Sequence, residues 1–309
     1  MRHTCLNCVY DLAQRDERVV FVGSDLGPGV LEDMKKHFPD RWFMEGVAEQ
    51  HVVGMAAGLA MEGFIPYVNT IATFLSRRCY EQIVLDLCLH RLPVRLIANG
   101  GGVVYAPLGP THLATEDITI LRCVPNMTIV APCDAEEMAR FMSVSLDWPD
   151  PIYIRLAKGG DEIVSRAENG FVIGKAIALR EPGQVLFVTT GILAQRALAA
   201  SKLLAEKGIQ AGVLHMHTIK PLDREALLKA SIGVELVVTA EENALAGGFG
   251  SLVLETLNDA DQIRVPRVLR MGLPDVFATE YGSQDSLLRN WRLDSDALAA
   301  RVRDILPHL

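Results

Sequence analysis

Short continuous apolar runs alternate along this chain with longer stretches whose apolar residues recur at three- and four-residue spacing. The first pattern predicts strands buried on both faces, the second helices that cover them. Val19-Val20-Phe21-Val22-Gly23 reads as a buried strand, and the Ala-, Gly- and Met-rich stretch 48–61 as a helix. A short strand over 65–68, a long helix over 74–89 and a strand over 94–98 follow. Next come a strand over 128–130, a helix over 135–146 and a strand over 152–154. The pattern then lapses into polar, glycine-containing sequence around Lys158-Gly159-Gly160-Asp161, which marks a domain boundary. A second series has strands at 185–189, 212–214, 234–239 and 265–271, a helix running to 207 and another after Gly247-Gly248. It closes on a helix over 294–306, with Asp294 as its N-cap. Strands separated by helices pair in parallel. The expectation is two α/β domains with mostly parallel sheets: residues 1–160, a linker over 161–170, and residues 171–309. No repeat of solenoid period is visible.

Composition narrows the function classes. Of 309 residues, 50% are hydrophobic and 22% charged, which suits sheets covered on both faces and excludes a disordered chain. Lys and Arg number 30 against 38 Asp and Glu, a net charge of −8 with no basic stripe, so nucleic acid and anionic membranes are not expected partners. The start, Met1-Arg2-His3-Thr4-Cys5-Leu6, lacks the apolar core of a signal peptide, and the apolar runs are too short to span a bilayer. All six cysteines lie in the first half, and Cys5-x-x-Cys8 has no second Cys/His pair at zinc spacing. Buried thiols in a reducing, cytoplasmic compartment are the expectation.

Four segments offer chemistry. Glu49, in Glu45-Gly46-Val47-Ala48-Glu49-Gln50-His51, opens an otherwise apolar helix. Burial would raise its carboxyl pKa towards that of a proton relay, while the helix N-terminus opposes the shift. On spacing alone, a first-turn Glu stabilising the helix dipole is the plainer reading. His112, after Gly109-Pro110-Thr111, sits beside a helix start and suits proton transfer near neutral pH; a structural role fits such a lone His as well. Asn99-Gly100-Gly101-Gly102 would let backbone approach a ligand, but it is neither a Walker loop nor GxGxxG. Glu241-Glu242-Asn243 with Gly247-Gly248-Phe249-Gly250 reads as an anion or partner site, or equally as a packing turn. No Ser-His-Asp set, nucleophile elbow or metal-ligand cluster is recognisable.

The order and spacing of these fragments resemble the C-terminal half of transketolase and of 1-deoxyxylulose-5-phosphate synthase, and more closely the separately encoded C-terminal subunits of split transketolases. The resemblance is carried by Gly46-Val47-Ala48-Glu49-Gln50-His51, Pro66-Tyr67-Val68-Asn69-Thr70-Ile71-Ala72-Thr73-Phe74, Gly109-Pro110-Thr111-His112, Lys220-Pro221-Leu222-Asp223 and Gly272-Leu273-Pro274-Asp275. It implies a pyrimidine-binding domain followed by a transketolase C-terminal domain, with thiamine diphosphate as cofactor. By the same resemblance Glu49 hydrogen-bonds the pyrimidine N1′ and promotes the tautomer that deprotonates the thiazolium, whose carbanion attacks a ketose carbonyl. Phe74 stacks on the pyrimidine, Ile71 is a second apolar neighbour, and Asp25 lies near the cofactor. His112 binds substrate oxygens and assists proton transfer, while Arg155 and Arg2 bind the substrate phosphate.

Two departures bear on the substrate. Relatives usually carry an Asp four residues before the histidine, where this chain has Leu108, and a phosphate-binding His or Arg where it has Gly100 or Gly101. The family's Gly-Asp-Gly…Asn-Asn motif, which holds Mg²⁺ and the diphosphate, does not occur here. The resemblance therefore implies an N-terminal, diphosphate-binding partner subunit in an α2β2 assembly, with no metal held by this chain. The expected reaction is transfer of a two-carbon ketol unit from a ketose to an aldehyde. Acyloin synthesis from a 2-oxo acid donor, or a non-catalytic regulatory subunit, is the alternative. The β subunit of a 2-oxo acid dehydrogenase shares the architecture, but the Gly-Pro-Thr-His and Lys-Pro-Leu-Asp segments speak against it.

Overall fold

A computed structural model describes residues 1–24, 31–261 and 265–308. The apolar runs form the strands β1 (Val19–Gly23), β2 (Trp42–Met44), β3 (Ile65–Ile71), β4 (Arg95–Asn99), β5 (Thr128–Val130) and β6 (Ile152–Leu156) in the first half. The second half contributes β7 (Ile177–Arg180), β8 (Val185–Thr189), β9 (Ala211–His215), β10 (Thr218–Lys220), β11 (Leu236–Ala244) and β12 (Arg267–Leu273). They make a seven-stranded sheet, ordered β10-β5-β6-β4-β3-β1-β2, and a five-stranded sheet, ordered β12-β11-β8-β9-β7. Strands β1 to β6 pair in parallel throughout. Every residue of β1, β4, β6, β8 and β9 is buried. Helices on both faces of a parallel sheet leave no wet side, which is why these strands read as unbroken apolar runs rather than as alternation.

The strand β10 belongs to the second half of the chain but pairs antiparallel with β5, Thr218 facing Val130 and Lys220 facing Ile129. Three half-polar residues carry no periodic signal, so this edge strand was not foreseen. Its effect is to sew the second domain onto the first sheet. The polar segment expected to link the domains holds only a short 3-10 turn, Ala167–Asn169.

The long helix expected over 74–89 is three pieces: Ala72–Arg78, a turn at Tyr80–Gln82, and a π-helical turn at Ile83–Cys88. Leu75, Ile83 and Leu87 still face the core at 0% exposure, which is the periodicity the sequence displays. The interruption falls at Cys79 (φ −105°, ψ 14°), directly after Phe74 and Arg78. Mid-helix π turns often accompany functional sites, because they aim side chains that a regular helix cannot.

The first helix, Arg2–Arg15, buries Cys5, Leu6, Val9, Leu12 and Ala13. Cys5 Sγ lies 3.7 Å from Met142 Sδ, and burial pushes the thiols of Cys5 and Cys8 upward. All six cysteines are free. Asp294 does cap the closing helix Ser295–Ile305, accepting from Ala297 N–H at 3.1 Å. Among the described residues no helix is long and apolar enough to cross a membrane.

Candidate active site

In parallel sheets the carboxyl ends of neighbouring strands open onto one crevice, where ligands bind. Here the ends of β1, β3 and β4 are tied by a buried polar seam. Ser24 Oγ donates to Thr70 Oγ1 at 2.7 Å, and Asn99 Nδ2 donates to Asn69 Oδ1 at 2.7 Å and to the Thr70 carbonyl at 3.0 Å. Three segments leave this rim: the turn into the helix Glu49–Met61, the helix Ala72–Arg78 that follows β3 directly, and the loop 100–116.

Glu49 is the first residue of its helix and is 4% exposed. It is not left to serve the helix dipole alone. Arg78 Nη1 donates to Glu49 Oε1 at 3.2 Å and to Oε2 at 3.1 Å. The same guanidinium lies 3.8 Å from the centre of the Phe74 ring. Phe74 and Arg78 are one helical turn apart, so the arginine folds back over the ring and reaches the carboxylate beyond it. On the other side, the His112 and Phe74 ring centres are 5.3 Å apart, tilted by 59°. His112 follows Gly109, whose φ of +75° lets the loop reverse after Leu108. Its Nδ1 lies 2.9 Å from Thr111 Oγ1. Glu49, Phe74 and His112, widely separated in the chain, thus converge. Ile71 is half-buried at the end of β3, where the Phe74 helix begins. Asp25 lies outside the described residues.

Arg155 sits elsewhere than at an open anion site. It is 7% exposed, and its Nε donates to Asp117 Oδ2 at 2.8 Å. Its Nη2 donates to Asp117 Oδ1 at 3.2 Å, the Ala114 carbonyl at 3.2 Å and the Glu242 carbonyl at 2.7 Å. Tyr153 donates to the same carboxylate at 2.9 Å. Burial works to lower the Arg155 pKa, but the Asp117 carboxylate outweighs it and the net shift is upward, so the guanidinium keeps its charge at depth. The guanidinium is a clamp between β6, the His112 loop and β11 of the second domain.

The glycine run explains how that clamp fits. A Cβ on Gly101 would lie 2.5 Å from Arg155 Cγ, and one on Gly102, at φ +64°, would lie 2.4 Å from the Glu242 side chain. At Gly100 the Tyr105 ring would be 2.2 Å away. The glycines admit the protein's own side chains, and a His or Arg at Gly100 has no room. Glu241 and Glu242 resolve similarly. Glu241 accepts from the N–H groups of Phe249 and Gly250, at 2.6 and 2.7 Å, filling the helix N-terminus that the sequence offered to an anion. Glu242 accepts from Val103 N–H at 2.8 Å and from Gln284 Nε2 at 2.9 Å. Burial pushes both carboxyls up to about 7 despite these donors.

Among the described residues, two further cations stand at the rim. Arg2 and Lys158 flank a cavity of about 180 Å³ that Asn99, Gly100, Tyr105 and Leu108 also line. Burial raises the pKa of the Tyr105 hydroxyl, opposed by the nearby Arg2. The sequence marked Arg2 but gave Lys158, at the end of the first domain, no role, and it did not mark Arg78 at all. An Arg one turn after an aromatic residue is the signal that was available for the latter.

The chain matches the model of the transketolase pyrimidine-binding domain over residues 1–160 and that of the transketolase C-terminal domain over residues 174–298. It belongs to the transketolase family. It is 41% identical over 297 residues to the 1-deoxy-D-xylulose-5-phosphate synthase of Synechococcus sp. (strain JA-2-3B'a(2-13)), covering 94% of this chain and 45% of that one. It is also 41% identical over 298 residues to 1-deoxy-D-xylulose-5-phosphate synthase 1 of Geobacter sulfurreducens, covering 96% and 46%. The chain therefore spans about half the length of these relatives. A solved structure described as a split gene transketolase, inactive beta4 tetramer, superposes with a TM-score of 0.90 at 34% identity, covering 99% of this chain and 98% of that one. Family membership bears out the two mostly parallel α/β domains that the alternation of strands and helices implied.

Proposed function

We propose that this chain is the pyrimidine-holding subunit of a thiamine-diphosphate transferase, active only with a partner that supplies the diphosphate and Mg²⁺ end. The observation that carries the reading is the position of Arg78. A planar, cationic N–C–N group lies on the face of Phe74 and donates to both oxygens of a buried glutamate. A protonated aminopyrimidine is likewise flat and cationic and offers the carboxylate an N–H, as the single nitrogen Nη1 of Arg78 does here. The residues present therefore fit that end of the cofactor, with Arg78, half-exposed and at the end of its helix, as the group that yields. When bound, thiamine diphosphate would supply the nucleophilic carbon. Glu49 holds and exchanges a proton at the ring nitrogen, and Phe74 fixes the plane of the ring. Ile71 and Asp25 are assigned to the same end on the family resemblance.

The reaction proposed is two-carbon ketol transfer from a ketose to an aldehyde. To His112 we assign holding a substrate oxygen and moving its proton, and to Arg2 with Lys158 holding a substrate phosphate. Arg155, expected at that phosphate, we assign to keeping the His112 loop in place. A 2-oxo acid donor is the second reading. Leu108, 49% exposed at the rim, offers an apolar surface where a hydroxyl-reading Asp was expected, and the 41%-identical relatives are 1-deoxy-D-xylulose-5-phosphate synthases.

The partner reading draws on the split gene transketolase, whose chain has the extent of this one and whose tetramer of that chain alone is described as inactive. An α2β2 complex in a reducing, cytoplasmic compartment is the assembly we infer. The test is reconstitution with a chain carrying the diphosphate-binding half, followed by mass spectrometry of products from ketose-phosphate and pyruvate donors. Glu49→Gln in that complex should reduce turnover by about two to four orders of magnitude with the fold unchanged. Full turnover by the variant, or by this chain without a partner, would refute the assignment.

A further inference from the structure

A second cluster lies away from the crevice, where the two domains meet. Cys133 follows β5, Glu137 is in the first turn of the helix Ala135–Ser145, and His215 ends β9 of the second domain. All three are 0% exposed, and one ligand atom from each lies within 4.8 Å of the others. Glu137 Oε2 accepts from Cys133 N–H at 2.7 Å and lies 2.9 Å from His215 Nε2. Among the described residues, Glu137 Oε1, His215 Nδ1 and, on the strand beside it, Thr189 Oγ1 are buried with no hydrogen-bond partner. Each such orphan costs about 1–3 kcal/mol, so a carboxylate–imidazole pair by itself is an unfinished arrangement.

The neighbouring carboxylate is not the missing partner. Asp134 is already saturated by the N–H groups of Glu137, Val164 and Ser165 and by Ser165 Oγ. A buried water would answer the nitrogen and the oxygen, and the thiol donates weakly to Asp134 Oδ2 at 3.6 Å; a cation would answer the sulfur, the nitrogen and the oxygen together. A sulfur, an imidazole nitrogen and a carboxylate oxygen together are a zinc-type donor set. A divalent ion also balances one thiolate and one carboxylate, with neutral imidazole as the third ligand. We propose that Cys133, Glu137 and His215 bind a zinc ion that staples the second domain to the first. Binding releases the thiol proton to solvent, and a water completes the fourth position. Two ligands come from one side of the domain junction and one from the other, so the ion acts on the same junction that β10 bridges. The inference is independent of the thiamine-diphosphate reading.

The test uses the full 309-residue chain. Zinc is removed with a chelator and restored, with metal content read by mass spectrometry and unfolding by calorimetry. On the order of one zinc per chain should bind and raise the Tm, with affinity falling about ten-fold or more in Cys133→Ser and in His215→Gln. Cobalt in the unaltered chain should give thiolate charge-transfer absorption. This spectrum decides the matter even if a variant fails to fold. Failure to take up zinc, equal uptake by folded variants, or a cobalt spectrum lacking the thiolate band would each overturn the proposal.

Discussion

Replacing Glu242 with Gln should flatten the pH dependence of stability between about pH 4.5 and 8. The side chain is buried between Val103 and Gln284, and its carboxyl is pushed from the ordinary 4.5 up to about 7. The folded state therefore holds the proton more tightly than the unfolded chain does. Stability from this group is fully present below pH 4.5 and is lost as pH rises through 7. Displacement of that size corresponds to about 3 kcal/mol at the alkaline end. In the variant, Gln keeps an acceptor for Val103 N–H, and the Gln284 amide can turn to present its oxygen. Glu241, also pushed up to about 7, is untouched, so about half the slope should remain. Urea unfolding at half-unit steps from pH 5 to 8.5 reads this directly. The unaltered chain should lose about 3 kcal/mol more than the variant across the range. Parallel profiles would show that the buried carboxylate is already ionised at acid pH, and the argument from burial would fail.

Other outcomes follow from the same junction and rim. Arg155→Met leaves the buried Asp117 without its cation and with only the Tyr153 hydroxyl beside it, and should cost about 3–5 kcal/mol in chemical unfolding. Gly102→Ala places a methyl group against Glu242 at a positive φ, and should cost about 2 kcal/mol or more by the same assay, with the His112 loop loosened in hydrogen exchange. Lys158→Ala in the reconstituted complex should raise KM for a phosphorylated substrate about ten-fold or more and leave kcat nearly unchanged. A kcat loss without a KM change would place Lys158 outside the phosphate site.

Much of this molecule is legible locally. The strands β1, β5 and β8 run over the same residues as their apolar stretches, because a strand covered on both faces must be apolar at every position. Asp294 caps its helix as its side chain and position dictate. Glu49 and His112 were singled out because their chemistry is unusual for their settings, and resemblance added the aromatic partner, Phe74. Three readings that the sequence left open share one difficulty. Arg155, the glycine run and Glu241-Glu242 were each offered to a ligand, since an arginine, a bare backbone and a carboxylate at a helix start all have that capacity. Each is instead engaged within the protein: Gly100 meets the nearby Tyr105 and Glu241 a helix start a few residues on, while the Arg155–Asp117, Arg155–Glu242 and Val103–Glu242 bonds span 38, 87 and 139 positions. Spacing along the chain carries no information about such pairings.

By itself, the sequence determined the element types, the two α/β units and the family, because these rest on periodicity, local propensity and motif order. Only the tertiary structure decided which polar groups are free to act. It placed Arg78 on Glu49 and Phe74, withdrew Arg155 into the domain junction, left Arg2 and Lys158 facing a cavity, and gathered Cys133, Glu137 and His215 from three segments. Whether a charged side chain is a tool or a strut depends on what else reaches it, and that is settled only when distant segments compete for the same donors and acceptors in a space without water.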